Sequence, residues 1–380
     1  MSDRKWCSSM GRYVLGVMKG DGIGPEIVAE TVKVLKATEA VFADLQFEYM
    51  ELPVGLAAYE QEGSTLPAAT VDALKQCHAA ILGPLTTHIY EKDNPRMVNA
   101  SGALRKTFDL YANIRPVQTF AGVNSKYSDI DLAVVRENTE GMYADRNLYY
   151  GHGEIMPDPH TVLSFRVVTR KASERIARVG LELANARKKK YASIIHKMNV
   201  LHKGCGMFVH TVRQVAQDFP QVKIDDYHID AFALHLVQRP EDFDVIITTN
   251  MFGDILSDLT AGLVGGLGLA PGLNVGDHFM IAQAAHGSAP TIANKGIANP
   301  VAEILSAKMM LEWLAIRNRD GSAARAASLI EAAVEQVLLQ GYKTPDIGGN
   351  SSTSQCGDKI AEYILERGEA GDRPQPAAKS

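Results

Sequence analysis

Short apolar runs alternate along the chain with amphipathic segments of helical spacing. The apolar runs, which predict strands, lie at residues 13–18, 46–52, 79–82, 130–135, 162–169, 191–200, 243–249 and 279–285. The amphipathic segments, which predict helices, lie at residues 25–41, 66–77, 171–186, 301–314, 323–339 and from 356 onward. This alternation predicts an α/β fold with a doubly wound sheet, and β-branched runs such as residues 243–249 are typical of buried parallel strands.

The segment NMFGDILSD, residues 250–258, follows the apolar run at 243–249 and carries two carboxylates. We expect Gly253 to break the strand and Asp254 to begin a helix, on which Asp254 and Asp258 would face the same way. Like charges at that spacing repel unless a positive charge lies between them, and Mg²⁺ or Mn²⁺ prefers such oxygen ligands. The alternative is a helix cap followed by a solvated acid, and the pair alone leaves both interpretations open.

A glycine-rich turn follows the first predicted strand. Its glycines, Gly20, Gly22 and Gly24, have the spacing G-x-G-x-G, whereas the dinucleotide-binding fingerprint is G-x-G-x-x-G. The chain also lacks the sequence G-x-x-x-x-G-K-[ST] of the common phosphate-binding loop. A tight turn that needs positive φ explains these glycines as well as a nucleotide site does.

Three arginines lie near the predicted ends of sheet strands. Arg105 lies on a predicted helix, Arg115 on the strand after it, and Arg136 at the end of the strand at 130–135. Singly, each arginine is most simply a surface ion pair. Together they indicate a pocket for a polyanion, because a guanidinium group binds carboxylates in a bidentate manner.

A lysine and an asparagine, Lys197 and Asn199, emerge from the apolar run at 191–200. Desolvation near a buried strand lowers the pKa of a lysine, and such a lysine can act as a base. Asp230 follows a polar stretch and starts a predicted helix at 231–237. It is a possible third carboxylate for a cation held by Asp254 and Asp258.

Composition narrows the class of protein. The 380 residues suffice for two domains or one large α/β domain, and the net charge of -5 gives no indication of a nucleic-acid partner. No apolar run is long enough to cross a membrane and no signal-peptide pattern is present, so we expect a cytoplasmic protein. The scattered cysteines, Cys7, Cys77, Cys205 and Cys356, form no CxxC pair, which argues against a disulfide framework or a zinc site.

Several motifs, taken in their order along the chain, resemble those of one family. They are GDGIGPE at residues 20–26, LRKTFDLYANIRP at 104–116, VVRENTEGMY at 134–143, HKMNV at 196–200, NMFGDILSD at 250–258, HGSAP at 286–290 and ANP at 298–300. They resemble the β-decarboxylating, metal-dependent dehydrogenases of 3-substituted malates. This is the isocitrate/3-isopropylmalate dehydrogenase family, which includes homoisocitrate and tartrate/D-malate dehydrogenases.

The resemblance implies a fold and a domain division. We expect an isopropylmalate dehydrogenase-like fold, a two-domain doubly wound sheet that is not a Rossmann fold of the usual kind. Residues 1–110 and 266–380 would form a large cofactor-side domain, and residues 111–265 a small domain with the dimer interface and the substrate and metal residues. Composition adds that residues 368–380, rich in Pro, Gly, Ala and charge, are expected to form a disordered tail.

The resemblance also implies residue roles. Lys197 would be the catalytic base on the substrate hydroxyl, and Tyr143 the acid that protonates carbon after CO₂ leaves. The substrate-binding residues would be Arg105, Arg115, Arg136, Asn99, Ser101 and Asn199. The cofactor would contact His286, Gly287, Ser288, Ala289, Thr291, Ile292 and Asn299. Asp254 and Asp258 would hold Mg²⁺ or Mn²⁺ together with Asp230 of the partner subunit, which would also supply the lysine.

The departures from the family pattern bear on the substrate. Isocitrate enzymes have serine and asparagine at the positions six and four before the first arginine, whereas this chain has Asn99 and Ser101 there, in the reverse order. The segment Ser101-Gly102-Ala103 is small and polar, which disfavours the branched aliphatic substituent of isopropylmalate. The remaining candidate substrates are isocitrate, homoisocitrate, tartrate, simple malates and an unusual 3-substituted malate.

Thr291 bears on the choice of cofactor. NAD enzymes of the family often carry an aspartate there and NADP isocitrate enzymes often carry Lys-Tyr, but Thr291-Ile292 supplies neither the acid nor the cation. The stretch TPDIGG at residues 344–349 is similar to that of the NAD type, so NAD is expected, with NADP as the alternative. Gln283 stands where many relatives have glutamate, and the sequence leaves its effect open.

The expected function is oxidative decarboxylation of a 3-substituted (R)-malate-type 2-hydroxy acid, a small molecule, by a homodimer with shared active sites. Neither nucleic acid nor a membrane is an expected partner. One alternative is a tartrate/D-malate dehydrogenase, which can oxidise without decarboxylation. Another is a non-catalytic regulatory subunit of a heteromeric isocitrate dehydrogenase, against which the retained Tyr143, Lys197 and Asp254 argue.

Overall fold

The computed structural model describes residues 11–91, 94–143 and 153–369. Its strands are β1 (Arg12–Met18), β2 (Gln46–Glu51), β3 (Ala79–Leu82), β4 (Ala112–Gln118), β5 (Asp131–Glu137), β6 (Glu154–Asp158), β7 (Thr161–Ser164), β8 (Tyr191–His196), β9 (Lys223–His228), β10 (Val245–Thr248), β11 (Leu273–Val275) and β12 (Met280–Ala282). Its helices are α1 (Gly24–Val41), α2 (Gly55–Glu62), α3 (Ala68–Leu74), α4 (Ala100–Thr107), α5 (Arg170–Ala186), α6 (His202–Val215), α7 (Ile229–Gln238), α8 (Asn250–Leu263), α9 (Val301–Asn318), α10 (Gly321–Leu339) and α11 (Thr353–Glu369). The protein therefore has the predicted α/β class.

Contacts divide the chain into two compact units. Unit 1 holds the described parts of Met1–Ser101, Phe120–Asn124 and Met280–Ser380, and unit 2 those of Gly102–Thr119 and Ser125–Phe279. The chain passes between the two units mainly after Ser101 and after Phe279, whereas the sequence predicted boundaries at residues 110 and 265. The reason is that β11 pairs with β4, and Phe108 stacks on Phe279 with 4.5 Å between ring centroids, which ties both flanking segments to unit 2. The roles predicted for the two domains stay a prediction.

Unit 1 is built on parallel strands in the order β2-β1-β3-β12. Strand β3, with the sequence AAIL, is buried along its whole length, as its apolar run predicts. Helix α1 buries Ile27, Val28 and Leu35, which lie on one stripe of helical spacing. Helices α1, α9, α10 and α11 pack against one another, and α9 also contacts β12, so the core of this unit lies between these helices and the sheet.

Unit 2 has strands in the order β11-β4-β5-β10-β8-β9. Strands β5, β10, β8 and β9 are mutually parallel, whereas β4 pairs antiparallel with both β5 and β11. Helix α5 contacts β5, β8 and β10, and α8 contacts β4, β5 and β10. The sheet is therefore mixed, and three of its parallel strands, β5, β8 and β10, are buried along almost their whole length, as their apolar runs indicate.

The prediction that Gly253 breaks a strand and Asp254 begins a helix is wrong. Helix α8 begins at Asn250, so Gly253 lies inside it. The glycine is required by packing rather than by chain reversal, since a Cβ there would lie 2.6 Å from the Cβ of Arg136.

Two other segments differ from the sequence prediction. The run at 162–169 forms only the short strand β7, which pairs with β6 as a hairpin whose residues are all exposed. The polar stretch before Asp230, which the pattern assigned to no element, belongs to β9, the edge strand of unit 2. An edge strand needs little apolar alternation, which is why the pattern did not reveal it.

The predicted tail and one cysteine fall largely outside the described residues. Helix α11 extends to Glu369, so the first two residues of the predicted tail are helical, and residues 370–380 and Cys7 lie outside the description. Cys77, Cys205 and Cys356 are buried free thiols. Within the described ranges, no helix is long and apolar enough to cross a membrane.

A pair of glycine substitutions tests the close packing of α5 on the sheet. A Cβ at Gly180 would lie 2.5 Å from Cγ1 of Ile247 on β10, whereas nothing lies within 4 Å of a Cβ at Gly262 on α8. We expect Gly180→Ala to destabilise the protein by about 1–3 kcal/mol through overpacking. Urea unfolding followed by circular dichroism measures this change.

Gly262→Ala is the matched control, because it is also a helical glycine in unit 2 but an exposed one. It should leave stability unchanged or raise it by up to about 1 kcal/mol, as alanine favours a helix. Equal effects of the two substitutions would contradict the close approach of α5 and β10.

Candidate active site

The candidate site lies at one edge of the unit 2 sheet. Because β5, β10, β8 and β9 are parallel neighbours, their carboxyl ends meet at the same edge. Arg136 lies at the end of β5, α8 follows β10, Lys197 follows β8, and α7 with Asp230 follows β9. Strand order therefore brings polar residues from separate parts of the chain to one edge.

Arg136 is a buried cation, with only 2% of its surface exposed. Its Nε and Nη2 donate to Oδ1 of Asn250 at 2.9 and 2.6 Å, and its Nη1 donates to Oδ1 of Asp254. Asn250 also donates from Nδ2 to the carbonyl of Glu140 at 2.9 Å. The missing side chain of Gly253 leaves the space in which the arginine stem lies. The first turn of α8 thus fixes this guanidinium group.

Arg115 is a second buried cation, 7% exposed. Its Nε donates to Oδ1 of Asn113 at 2.6 Å, and its Nη1 donates to Oγ of Ser257 at 2.7 Å. The same Nη1 lies 3.6 Å from an oxygen of Asp254 and 3.5 Å from one of Asp258. Burial, together with the neighbouring guanidinium group, lowers the pKa of Arg115 to about 10, so it remains charged at neutral pH.

Asp254 and Asp258 face the same guanidinium nitrogen, as their four-residue spacing on one helix requires. Burial acts to raise the pKa of Asp254, but Arg136 and Arg115 outweigh it and hold that pKa below its usual value. Burial raises the pKa of Asp258, and the charge of Asp254 adds to the rise. The two carboxylates are hard oxygen donors that repel each other, which fits a divalent cation between them.

The donor set of one chain is incomplete for such a cation. In the part of the chain that the structure describes, no group of three His, Cys, Asp or Glu side chains is placed to hold a metal ion. The predicted third ligand, Asp230, is therefore not joined to the other two carboxylates within one chain. Its Oδ1 instead accepts a 2.5 Å hydrogen bond from Nζ of Lys197, which lowers the pKa of Asp230.

Tyr143 and Arg105 complete the cluster around Asp254. The hydroxyl of Tyr143 donates to Oδ2 of Asp254 at 3.0 Å, and the guanidinium carbon of Arg136 lies 5.7 Å from the centre of the tyrosine ring. Arg105, in the last turn of α4, contributes to lowering the pKa of Asp254. Asn199, by contrast, is exposed in the turn after β8.

The predicted cofactor residues lie in unit 1, where Ser288 contacts the glycine-rich turn. The amide of Ile23 donates to the carbonyl of Ser288 at 2.9 Å, and the hydroxyl of Thr86 donates to Oγ of Ser288 at 2.8 Å. Gly22 has φ 58°, and a Cβ there would lie 2.0 Å from the Ser288 carbonyl oxygen. The turn thus needs its glycine for positive φ and for close packing on this loop.

A buried carboxyl anchors the same loop from α9. Glu303 is fully buried, accepts a hydrogen bond from the amide of Ala284 at 2.8 Å, and has its pKa raised by burial to about 8. Burial also lowers the pKa of His286, which favours the neutral imidazole, and its Nδ1 lies 3.0 Å from the carbonyl oxygen of Gly287.

Among the remaining cofactor candidates, Asn299 contacts an acid. Ala289 has φ 38° and precedes a short 3₁₀ turn that holds Ile292, with Thr291 exposed. Asn299 donates from Nδ2 to Oδ2 of Asp346 at 3.1 Å. This carboxylate is also close enough to act on the pKa of the loop histidine.

Two of the substrate candidates, Asn99 just before α4 and Ser101 in its first turn, also lie in unit 1. Asn99 is exposed, and Oγ of Ser101 donates to Oε1 of Gln283 at 3.0 Å. The side-chain amide of Gln283 is therefore the acceptor for a hydroxyl that the sequence suggested for substrate binding.

Sequence reasoning missed the polar residues that hold the two buried arginines, namely Asn113, Asn250 and Ser257. Asn113 and Arg115 are two apart on β4 and so share a face, which is a signal that strand periodicity contains. Asn250 and Ser257 lie within the motif already singled out, but nothing local relates them to arginines on other strands.

These features define an α/β protein with two buried arginines, a pair of carboxylates and a tyrosine at one sheet edge. A model of the isocitrate/isopropylmalate dehydrogenase family matches residues 14–360. The isocitrate/homoisocitrate dehydrogenase of Thermus thermophilus is 43% identical over 352 residues, covering 93% of this chain and 98% of that protein. The 3-isopropylmalate dehydrogenase of Archaeoglobus fulgidus is 41% identical over 348 residues, covering 92% and 98%.

A solved structure agrees with this similarity. The crystal structure of isocitrate dehydrogenase from Methylococcus capsulatus matches with a TM-score of 0.83 and 41% identity, covering 93% of this chain and 99% of that one. The chain belongs to the isocitrate/isopropylmalate dehydrogenase family and has its isopropylmalate dehydrogenase-like fold.

Replacing the buried carboxyl of unit 1 should remove a pH dependence of stability. A glutamate in an unfolded chain has a pKa of about 4.3, whereas burial raises that of Glu303 to about 8. As pH rises between these values, the unfolded chain loses a proton that the folded protein keeps, so folding becomes less favourable. We expect the melting temperature of the wild type to fall more between about pH 5 and about pH 8 than that of Glu303→Gln.

The control is Glu366→Gln, at an exposed position on α11. Its melting temperature should follow the wild-type curve across the same pH range. If the melting temperatures of the wild type and Glu303→Gln changed in parallel with pH, the buried carboxyl would not be protonated in the folded protein.

Proposed function

We propose that this protein catalyses the NAD-dependent oxidative decarboxylation of a 3-substituted (R)-malate-type 2-hydroxy acid to a 2-oxo acid and CO₂. Isocitrate and homoisocitrate are the first candidates, because the T. thermophilus relative is named for both. One observation carries the proposal. Two buried guanidinium groups, Arg115 and Arg136, meet Asp254, Asp258 and Tyr143 at one sheet edge.

The arginines favour a substrate with several carboxylates. A buried guanidinium group is costly unless an anion pairs with it, and Asp254 is the anion that contacts both arginines here. A substrate carboxylate must therefore compete with Asp254 for Arg136. The charge of Arg105, on the adjoining helix, adds a third attraction for a di- or tricarboxylate.

Asp254 and Asp258 would hold Mg²⁺ or Mn²⁺, together with Asp230 of the partner subunit. Their oxygen atoms, partial burial and mutual repulsion support this assignment. When bound, the ion would act as a Lewis acid that stabilises negative charge on the substrate oxygen, while NAD would accept the hydride.

Two residues of separate character would move the protons. The partner subunit's Lys197, as the neutral amine, would accept the proton of the substrate hydroxyl. Within one chain, Nζ of Lys197 donates a hydrogen bond to Asp230. The hydroxyl of Tyr143, which donates to Asp254, would give its proton to carbon after CO₂ leaves. Asn199 would contact the substrate beside the lysine.

NAD is the proposed cofactor, bound by His286, Gly287, Ser288, Ala289, Thr291, Ile292 and Asn299. Thr291 offers no cation to a 2′-phosphate. The carboxylate of Asp346, hydrogen-bonded to Asn299, adds negative charge among these residues and would repel the extra phosphate of NADP. NADP remains the weaker alternative.

A homodimer with shared active sites is part of the proposal. The Lys197–Asp230 ion pair is at least partly exposed, and large apolar residues close to it in sequence are exposed as well, namely Val200, Leu201, Leu234 and Val237. The β6–β7 hairpin likewise exposes Ile155, Met156, Val162 and Leu163, and an isolated hairpin is only marginally stable. A second copy that covers such apolar surface would bring its lysine and aspartate to the first copy's carboxylates.

A tartrate/D-malate dehydrogenase is the alternative within the same family. The polar pair of Ser101 and Gln283 favours a small polar C3 substituent over a branched aliphatic one. Such an enzyme can oxidise its substrate and retain the carboxylate, so measuring CO₂ separates it from the first proposal.

The proposal is tested by following nicotinamide reduction and CO₂ release on a substrate panel. The panel contains isocitrate, homoisocitrate, isopropylmalate, D-malate and the tartrates, each with NAD or NADP and with Mn²⁺ or EDTA. We expect the highest kcat/KM with isocitrate or homoisocitrate and NAD, one CO₂ per NADH, and loss of activity in EDTA.

Two arginine variants make the assay specific for this site. Arg136→Gln should lower kcat/KM at least about 100-fold, because it removes a charged hydrogen-bonding group from the substrate. Arg178→Gln removes an exposed arginine of the same unit and should change kcat/KM less than about twofold. Absence of turnover on the whole panel would contradict the proposal and favour the regulatory subunit.

Tyr143→Phe should impair the steps after hydride transfer more than hydride transfer itself. The variant lacks the hydroxyl that would protonate carbon, so overall turnover should fall about 100-fold. Reduction of the isolated β-keto acid by NADH, which does not need this proton, should fall much less.

The control is Tyr363→Phe on α11, which should leave both rates unchanged. If keto-acid reduction by Tyr143→Phe fell as far as overall turnover, the assignment of this tyrosine as the acid would be wrong.

A further inference from the structure

Two side chains hold the backbone of the turn that carries Lys197 and Asn199. The amide of Lys197 donates to Sγ of Cys205 at 3.3 Å, and the amide of Met198 donates to Nδ1 of His196 at 3.0 Å. Two consecutive amides are therefore bound by side chains rather than by another strand or a helix. The turn is thereby fixed between the end of β8 and the start of α6.

Cys205 is fully buried in the first turn of α6. Its sulfur accepts a second hydrogen bond, from Nη1 of Arg166 at 3.5 Å. The Lys197 carbonyl, in addition, accepts the amides of Val200 and Leu201 at 3.1 and 2.8 Å. Removing the sulfur would leave the Lys197 amide without this acceptor, which costs free energy because the hydrogen bond is partly buried.

The hydrogen bonds of His196 define its tautomer. Because an amide can only donate, Nδ1 must accept from Met198, and the ring proton must be on Nε2. Nε2 lies 2.9 Å from Oδ2 of Asp226 and donates to it. Burial acts to raise the pKa of Asp226, but His196 and Arg213 outweigh it and keep the carboxylate ionised. This carboxylate holds the imidazole with its acceptor toward the turn.

We propose that Cys205 and His196 are positioning residues for Lys197 and Asn199. The proposal rests on the proposed function, in which Lys197 is the base. A base must lie within hydrogen-bonding reach of the proton it removes, and a displacement of about 1 Å can cost about 100-fold in rate. A turn fixed at two consecutive amides limits where the lysine Nζ and the asparagine amide can lie.

Amide hydrogen exchange tests the fixed turn independently of any activity. In the intact protein, Cys205→Ala should speed exchange of the Lys197 backbone amide at least about fivefold, since this amide loses its acceptor. Cys356→Ala replaces another buried thiol, on α11, and should leave exchange of that amide unchanged. Equal exchange in the two variants would overturn the proposal, whether or not the protein turns over a substrate.

Kinetics separates positioning from general destabilisation. Cys205→Ala should lower kcat at least about fivefold with little change in KM for the cofactor, and Cys205→Ser, which keeps an acceptor, should recover part of the loss. Full activity in the alanine variant, or no recovery in a folded serine variant, would count against the role of the thiol.

A pair of His196 variants tests the second anchor without altering α6. His196→Asn places its Oδ1 where Nδ1 lies and can accept from Met198, whereas His196→Gln reaches toward Asp226 but offers no acceptor at that position. Positioning predicts a higher kcat for the asparagine variant. The reverse order would mean that only the link to Asp226 matters, and it would overturn the assignment of His196.

The two proposals fail in distinguishable ways. A wild-type protein that is silent on the substrate panel would contradict the proposed dehydrogenase, while the exchange measurement would still decide whether the turn is fixed. An active wild type with unchanged Cys205 and His196 variants would retain the function and remove the positioning roles.

Discussion

Two guanidinium groups buried at one sheet edge set the constraint on which unit 2 depends. A charge taken out of water is costly unless it is paired and hydrogen-bonded, so each arginine must meet its partners in the folded chain. Arg136 meets Asn250 and Asp254, and Arg115 meets Asn113. The arginines and these partners lie on β4, β5 and α8, so the arginine cluster forms only when these elements are assembled. Fold and site are therefore stabilised by the same hydrogen bonds.

Lys197 and Asp230, the other residues of the proposed catalytic set, have the opposite character. Lys197 and Asp230 form an ion pair in which the aspartate side chain is 68% exposed, and a pair in water contributes little to stability. Such a pair can exchange partners at small cost, whereas the buried arginines cannot. In the proposed dimer, the lysine and aspartate of one copy would meet the buried arginines and the carboxylates of the other copy. The lysine and aspartate can change partners for this contact, whereas the arginines stay in place. The anchored turn after β8 would limit this freedom to the side chains.

In unit 1 the candidate residues are held in place by close backbone packing, whereas in unit 2 they are held by buried charges. The glycine-rich turn lies against Ser288, and Glu303 accepts from the amide of Ala284, so the loop with His286 is held from two sides. Glycines that resemble a nucleotide fingerprint thus have a structural purpose. Their spacing departs from that of the fingerprint, and the packing against Ser288 explains why Gly22 must be a glycine.

The sequence by itself determined the α/β class, most of the helices and strands, the family, and the shared face of Asp254 and Asp258. The period of the apolar residues, the order of the motifs and their spacing are all properties of the linear sequence. They can therefore be recognised without the folded structure. Tertiary structure alone decided that β4 runs antiparallel, that the polar β9 is an edge strand, and that Gly253 lies inside a helix to admit Arg136. It also decided the partner of each buried cation. Arg136 and Asn250 are 114 positions apart, and only the order of strands in the sheet brings such residues within hydrogen-bonding distance.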